Sequence, residues 1–170
     1  SQGTLDVYIN GKYLATRIVP EMRGQWLDIP TLIPKDDFSN PLSIRMVPNI
    51  PGGYYMPYQH SIYLYSVENT PPTPVVSTLQ NGAIQLGSAK LDYQSNKAKL
   101  GVNFEWYTDG SAKGDYKVFV HLYNDVSKPP VTQTDMRPGN GTLPPGNWLP
   151  GVLRDTITVD LNGVSAGTYK

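Results

Sequence analysis

The chain has 170 residues in which fourteen Lys and Arg balance fourteen Asp and Glu, so it carries no formal net charge. That balance removes the sustained positive field that a phosphate backbone or an acidic bilayer surface demands, and nucleic acid is not an expected partner. Sixteen Gly, sixteen Pro and twelve Tyr beside only 16% charged residues describe short strands joined by many turns. Cysteine is absent, which excludes disulfides, thiolate nucleophiles and Cys-based zinc sites and leaves the compartment open. No apolar run reaches the ~18 residues of a membrane helix, so these residues are expected to make no membrane contact themselves. Ser1-Gln2-Gly3 lacks the basic and apolar regions of a signal peptide.

Leu5, Val7 and Ile9 alternate with Thr4, Asp6 and Tyr8, and Asn10-Gly11 then leads into the β-rich run Tyr13 to Val19. Alternation around Asn-Gly predicts a hairpin, because both residues accept the positive φ of a type I′ turn. Leu42, Ile44 and Met46 predict a further strand, and Ile62 and Leu64, alternating with Tyr63 and Tyr65, another; the proline-punctuated stretch Pro48 to Tyr58 between them reads as loop. Thr70-Pro71-Pro72-Thr73-Pro74 is the linker candidate, since consecutive prolines lack backbone donors and favour an extended, semi-rigid spacer.

Beyond the linker, Leu100, Val102, Phe104 and Trp106 alternate with polar partners, and Tyr116 to Tyr123 is apolar on both faces, the pattern of a central strand. A long Pro/Gly-rich loop, Lys128 to Gly151, precedes Ile157, Val159 and Leu161, which alternate with Thr156, Thr158 and Asp160. The expected core of this half is Leu100, Val102, Phe104, Trp106, Val118, Val120, Leu122, Ile157 and Val159, held between two sheets. Single domains commonly run about 100 to 150 residues, so the length allows one large core or two small ones, and the Pro-rich linker candidate favours two. The expected fold is all-β, two antiparallel β-sandwich lobes at 1–69 and 75–170 joined by linker 70–74. A strand begins almost at once at Leu5 and Gly167 to Lys170 reads as the opening of another. Both lobes are therefore expected to be incomplete pieces of a longer protein.

Gly114-Asp115-Tyr116-Lys117-Val118-Phe119-Val120-His121-Leu122, Asp135 with Pro138, Asn147-Trp148-Leu149-Pro150-Gly151 with Asp155, and Ala166-Gly167-Thr168-Tyr169 together resemble an Ig-like domain. That domain occurs at the extracytoplasmic end of some bacterial membrane proteins, membrane-embedded glycosyltransferase-like proteins among them. The resemblance covers roughly residues 80 to 170. It implies an Ig-like second lobe and an extracytoplasmic location, periplasmic or cell-surface, with any membrane tether outside these residues. It transfers no activity. Asp6-Val7-Tyr8-Ile9-Asn10-Gly11-Lys12 followed by Trp26 to Pro30 resembles the jelly-roll lobes of sugar-active proteins, which implies a jelly-roll-like first lobe.

His121 shares a strand face with Phe119 and Tyr123, and Asp135 and Asp155 come from segments able to converge on it. Two readings follow: a metal or acid/base site, or a fixed polar network pinning the long loop to a sheet. The second is expected, because buried polar groups are normally satisfied in this way and the sequence offers only one other histidine, His60. Glycosidase chemistry needs two carboxylates about 5 to 10 Å apart. Asp36, Asp37, Asp92, Glu105 and Asp109 are available but lie in no recognisable motif, and Asp36-Asp37 after Lys35 reads as a solvated turn or helix start. No Gly-x-Ser-x-Gly nucleophile motif occurs. No catalytic residue, metal or cofactor is expected.

Trp26, Tyr54, Tyr55 and Tyr58, near His60, are the candidate ligand platform, since exposed rings stack on the apolar faces of sugars or on a partner's side chains. The same tyrosines read equally well as a cap closing the first sandwich or as cover for the junction between lobes. Trp148 reads as a loop anchor whose indole N–H needs an acceptor, and Asn140-Gly141-Thr142 as a turn. The functional expectation is a non-catalytic extracytoplasmic module of a larger bacterial cell-envelope protein, structural or interaction-supporting, with a glycan or another envelope protein as partner. A carbohydrate-binding module is the alternative, and a glycosidase-type enzyme the third reading.

Overall fold

Asn10 and Gly11 take left-handed backbone (φ 50° and 81°) and turn strand β1 (Gly3–Ile9) into β2 (Lys12–Val19). The computed structural model describes residues 3–21, 24–50, 52, 57 and 59–170. Asn10 also donates to the Asp37 carbonyl and to Ser39 Oγ, both at 2.9 Å, and accepts from Ser43 N–H at 3.0 Å, so one turn residue organises the loop that returns the chain. Strand β3 (Ile44–Asn49) then pairs with the other side of β1, giving the order β2-β1-β3. Leu5, Val7 and Ile9 are buried in the middle of this sheet, as their alternation requires. On its opposite face Tyr8 and Tyr13 meet edge to face, and the Arg45 guanidinium lies 3.9 Å from the Tyr8 ring centre.

Past the Pro-rich segment come β4 (Ser77–Leu79), β5 (Ile84–Gln94), β6 (Lys99–Thr108), β7 (Val118–Leu122), β8 (Thr132–Met136) and β9 (Gly151–Asp160). They form a four-stranded sheet, β4-β5-β6-β9, and the hairpin β7-β8, and every ladder among the described residues is antiparallel. Ile84, Trp106, Ala112 and Trp148 make the buried cluster between them, with Val118 of the hairpin and Phe104 and Leu153 of the sheet packed against it. Trp106 and Trp148 stand 6.1 Å apart, centre to centre. Thr132 and Thr134 of β8 donate to the carbonyls of Asp160 and Thr158, fastening the hairpin beside β9. The fold is an all-β, antiparallel β-sandwich, and helix is confined to three-residue 3-10 turns such as Lys35–Asp37 and Pro145–Asn147 among the described residues.

Several expectations need correction. Ile62 to Tyr65 is not a strand: both sides of β1 are taken, no ladder reaches the segment, and Leu64 stands fully in solvent. Alternation makes a strand only where a neighbour supplies backbone partners. β3 continues through Pro48, which an edge strand accepts because a missing donor there breaks no second ladder. β7 is one of two strands rather than a central one, and Phe119 is 63% exposed. The loop expected over Lys128 to Gly151 contains β8. Of the expected core, Val102, Trp106, Ile157 and Val159 are buried, while Leu100, Phe104, Val118, Val120 and Leu122 are half-buried.

The described residues from 57 to 76 contain no strand, yet they are not free of the second sheet. The Tyr65 hydroxyl donates to the Pro150 carbonyl at 2.9 Å, and Arg154 holds Glu68 and Glu105 together at 3.1 Å each. Pro72 presses on Gly87, where an added Cβ would stand 2.3 Å from the proline Cβ. The first sheet is tied on by Asn147, fully buried, whose side chain accepts from Ile18 N–H and donates to Ile18 C=O, both at 2.9 Å. Asn147→Ala removes both bonds and leaves two part-buried backbone groups without their partner, which should cost on the order of 1 to 3 kcal/mol. A denaturant titration of the variant checks this, and an unchanged midpoint would contradict the role given to the amide.

Candidate functional site

On the outer face of the β7-β8 hairpin, Phe119, His121 and Tyr123 stack edge to face in a row, with ring centres 5.9 and 6.0 Å apart. Phe119 lies directly opposite Asp135, so His121 reaches its carboxylate diagonally, Nε2 to Oδ1 at 3.0 Å. A carboxylate only accepts, so Nε2 carries the proton. Nδ1 lies 3.2 Å from the Tyr123 hydroxyl, which can donate to a bare Nδ1 or accept from a protonated one. Both ring nitrogens are used.

Asp155 does not join this pair. It sits on β9 opposite Phe104, in phase with buried Ile157 and Val159, and its Oδ1 accepts from Gly139 N–H at 3.1 Å. Its Oδ2 is buried with no hydrogen-bond partner among the described residues. Burial pushes this carboxyl above its ordinary pKa, against hydrogen bonds from the Gly139, Thr156 and Asn140 amides that favour ionisation. The loop that Asp155 holds is further fixed by a bidentate pair, Arg137 to Asp115 at 2.6 and 2.8 Å. Trp148 anchors its far end by donating Nε1–H to the Leu143 carbonyl at 3.2 Å.

Of the expected aromatic platform, Tyr54, Tyr55 and Tyr58 lie outside the described residues. Trp26 is 66% exposed and lines two clefts. The larger, about 1000 Å³, has Val7, Ile9 and Met46 of the first sheet as its floor and Leu27, Ile29 and Ile33 as a wall, with His60 and Trp26 on its lining. The smaller, about 420 Å³, lies between the segment Gly24 to Trp26, which links β2 to β3, and the second-half residues Lys117, Asp135, Met136, Arg137, Asn140, Gly141 and Thr142. Thr142 fixes this junction: its carbonyl accepts from Asp28 N–H at 2.9 Å and its hydroxyl donates to the Asp28 carboxylate.

Four of the five carboxylates considered for glycosidase chemistry have a local partner, and Asp36 lies beside Asp37 in the 3-10 turn Lys35–Asp37. Asp37 pairs with Lys12 at 3.0 Å, Glu105 with Arg154, and Asp92 with the Gln94 amide. Asp109 accepts from the backbone and hydroxyl of Ser111, bonds that hold its pKa low. No group of three or more His, Asp or Glu side chains gathers as a metal site among the described residues. Sequence reasoning missed Asn147, Lys117 and Asn140 as site-forming residues. Lys117 and Asn147 entered only within the segments that resemble an Ig-like domain, and Asn140 only through the Asn140-Gly141 turn signal; Asn140 does take left-handed backbone, φ 55°.

Compared with known proteins, the chain matches no family model, no curated protein and no solved structure. The raised Asp155 pKa has a definite sign: the folded state binds its proton more tightly than the unfolded state. Its contribution to stability is therefore full below the unfolded pKa and is lost as pH rises through the folded one. Asp155→Asn has no such titration and keeps an acceptor for Gly139. The melting temperature of the native chain minus that of the variant should rise as pH falls from neutral toward the carboxylate range, and a difference independent of pH would refute the burial argument.

Proposed function

We propose that this chain is a non-catalytic extracytoplasmic module of a larger bacterial cell-envelope protein, one that supports structure and interaction. The observation that carries the reading is the use to which the chemically capable groups are put. His121 is spent on Asp135 and Tyr123, Asp155 on the Gly139 amide, and Asp115 on Arg137. Each bond ties a loop or a strand to its neighbour. The Ig-like resemblance of residues 80 to 170 supports the extracytoplasmic placement, and the charge balance suits a surface that need not hold a polyanion.

A second reading, carbohydrate binding, is favoured by one specific observation: exposed Trp26 lines two clefts at once. On either reading the His121-Asp135 pair is structural. His121→Gln should therefore lower the melting temperature by a few degrees and change no hydrolytic rate on polysaccharide or aryl-glycoside substrates. Protease added to intact cells or spheroplasts making the full-length protein should reach an epitope tag set in the Ser165 loop. Protection of the tag until the cytoplasmic membrane is lysed would reject the extracytoplasmic placement.

A further inference from the structure

We infer that the 420 Å³ cleft at the junction binds a neutral, hydroxyl-rich sugar ring, with Trp26 as the stacking platform and Asp135, Lys117 and Asn140 as its polar rim. The volume falls in the range of small-molecule sites, and such sites combine an apolar surface with a few convergent polar groups. Here the apolar surface is an indole, and a pyranose offers it a face of C–H groups. The rest of the argument is the rim's inventory.

Among the described residues three charged side chains line the cleft: Lys117, Asp135 and Arg137. Arg137 is already neutralised by its two bonds to Asp115. What remains of the described lining is one cation and one carboxylate, with no excess charge among them to select an anion. Lys117 has no ion-pair partner among the described residues, and Asp135 has only one oxygen occupied, by His121. Asn140 adds an amide that both donates and accepts. Donors and acceptors side by side, with no excess charge, match hydroxyl groups, which are donor and acceptor in one atom. A carboxylated or phosphorylated ligand would instead meet the Asp135 carboxylate.

The frame is fixed in advance. Thr142 binds both the amide and the carboxylate of Asp28, two residues from Trp26, and its hydroxyl lies 2.7 Å from the Gly139 carbonyl beside Asn140. His121 holds Asp135 from behind. Platform and rim thus come from segments more than 90 residues apart that are stitched together without a ligand, which lowers the ordering cost of binding.

The inference rests on the reading of the chain as a binding rather than a catalytic module, and the test separates the two. Neutral gluco-, manno- and galacto-oligosaccharides and oligogalacturonate are titrated calorimetrically into the native chain and three variants, and each mixture is assayed for reducing ends. At least one neutral series should bind, roughly tenfold or more weakly in Trp26→Ala, weakened also in Lys117→Met, and unchanged in Tyr13→Ala, whose exposed ring lies outside the cleft. A circular-dichroism spectrum of Trp26→Ala that matches the native chain confirms that the comparison is made on folded protein. No neutral binding at millimolar sugar, binding of oligogalacturonate alone, or equal affinity in native and Trp26→Ala chains overturns the site. New reducing ends overturn the non-catalytic reading, whatever the binding arms decide about the cleft.

Discussion

Asn147 does for Ile18 what a neighbouring strand would do. β2 is an edge strand of the first sheet, and an edge presents backbone groups that require partners once they are buried. The Asn147 amide supplies one acceptor and one donor in the spacing that a single residue's N–H and C=O present. Its placement follows from its neighbours. Pro144 and Pro145 start a one-turn 3-10 helix closed by Asn147 N–H to the Pro144 carbonyl. Gly146 allows the approach, since a Cβ there would meet Gly114 backbone and Ile18 Cδ1, all at 2.9 Å. Trp148, next in sequence, turns the other way into the cluster with Trp106. Two consecutive side chains are therefore shared between two sheets, and neither can move without the other.

The same economy governs the other polar groups. A loop rich in proline has few backbone N–H groups with which to build a ladder of its own, so side chains must anchor it. Asp155 accepts from Gly139 N–H, Arg137 pairs with Asp115, and Thr142 accepts the Asp28 N–H on its carbonyl while its hydroxyl donates to the Asp28 carboxylate. Asp155 is the least comfortable of these, because one of its oxygens is buried without a partner among the described residues and a charge there is poorly solvated. The carboxylates that end strands are different in kind. Asp109, Asp125 and Asp160 each accept from the backbone N–H two residues on, which closes the turn and keeps the carboxyl acidic.

Local chemistry was legible wherever a strand kept its phase. β1, β6 and β9 announce themselves by strict alternation, β2 by a β-rich run, and Asn10-Gly11 by its turn type. β5, the longest strand, was silent because the ladder slips between Leu86 and Ser88, at Gly87, and the slip moves its apolar residues from one parity to the other. β8, Thr132–Met136, hides its half-buried threonines and methionine among polar residues, so nothing apolar repeats. Ile62 to Tyr65 errs in the opposite direction, with a perfect pattern and no partner. The site was legible only in part. Trp26 stood out as an aromatic, but Asn147 acts on a residue 129 positions away, a relation that no periodicity encodes.

Trp26 links the functional question to the architectural one. It lies two residues from Asp28, which Thr142 holds, and it borders both the cleft over the first sheet and the cleft at the junction. The junction cleft is walled by both halves of the chain, so any ligand seated there contacts both. Such a ligand binds the assembled junction and has no equivalent site when the first sheet separates from the loop at 137–148. Mass action then makes binding and docking of the two halves the same equilibrium read from two ends. The seam held by Asn147 and Thr142 is consequently a precondition of the cleft, and a change in either residue must reach the ligand even though Asn147 does not line the site.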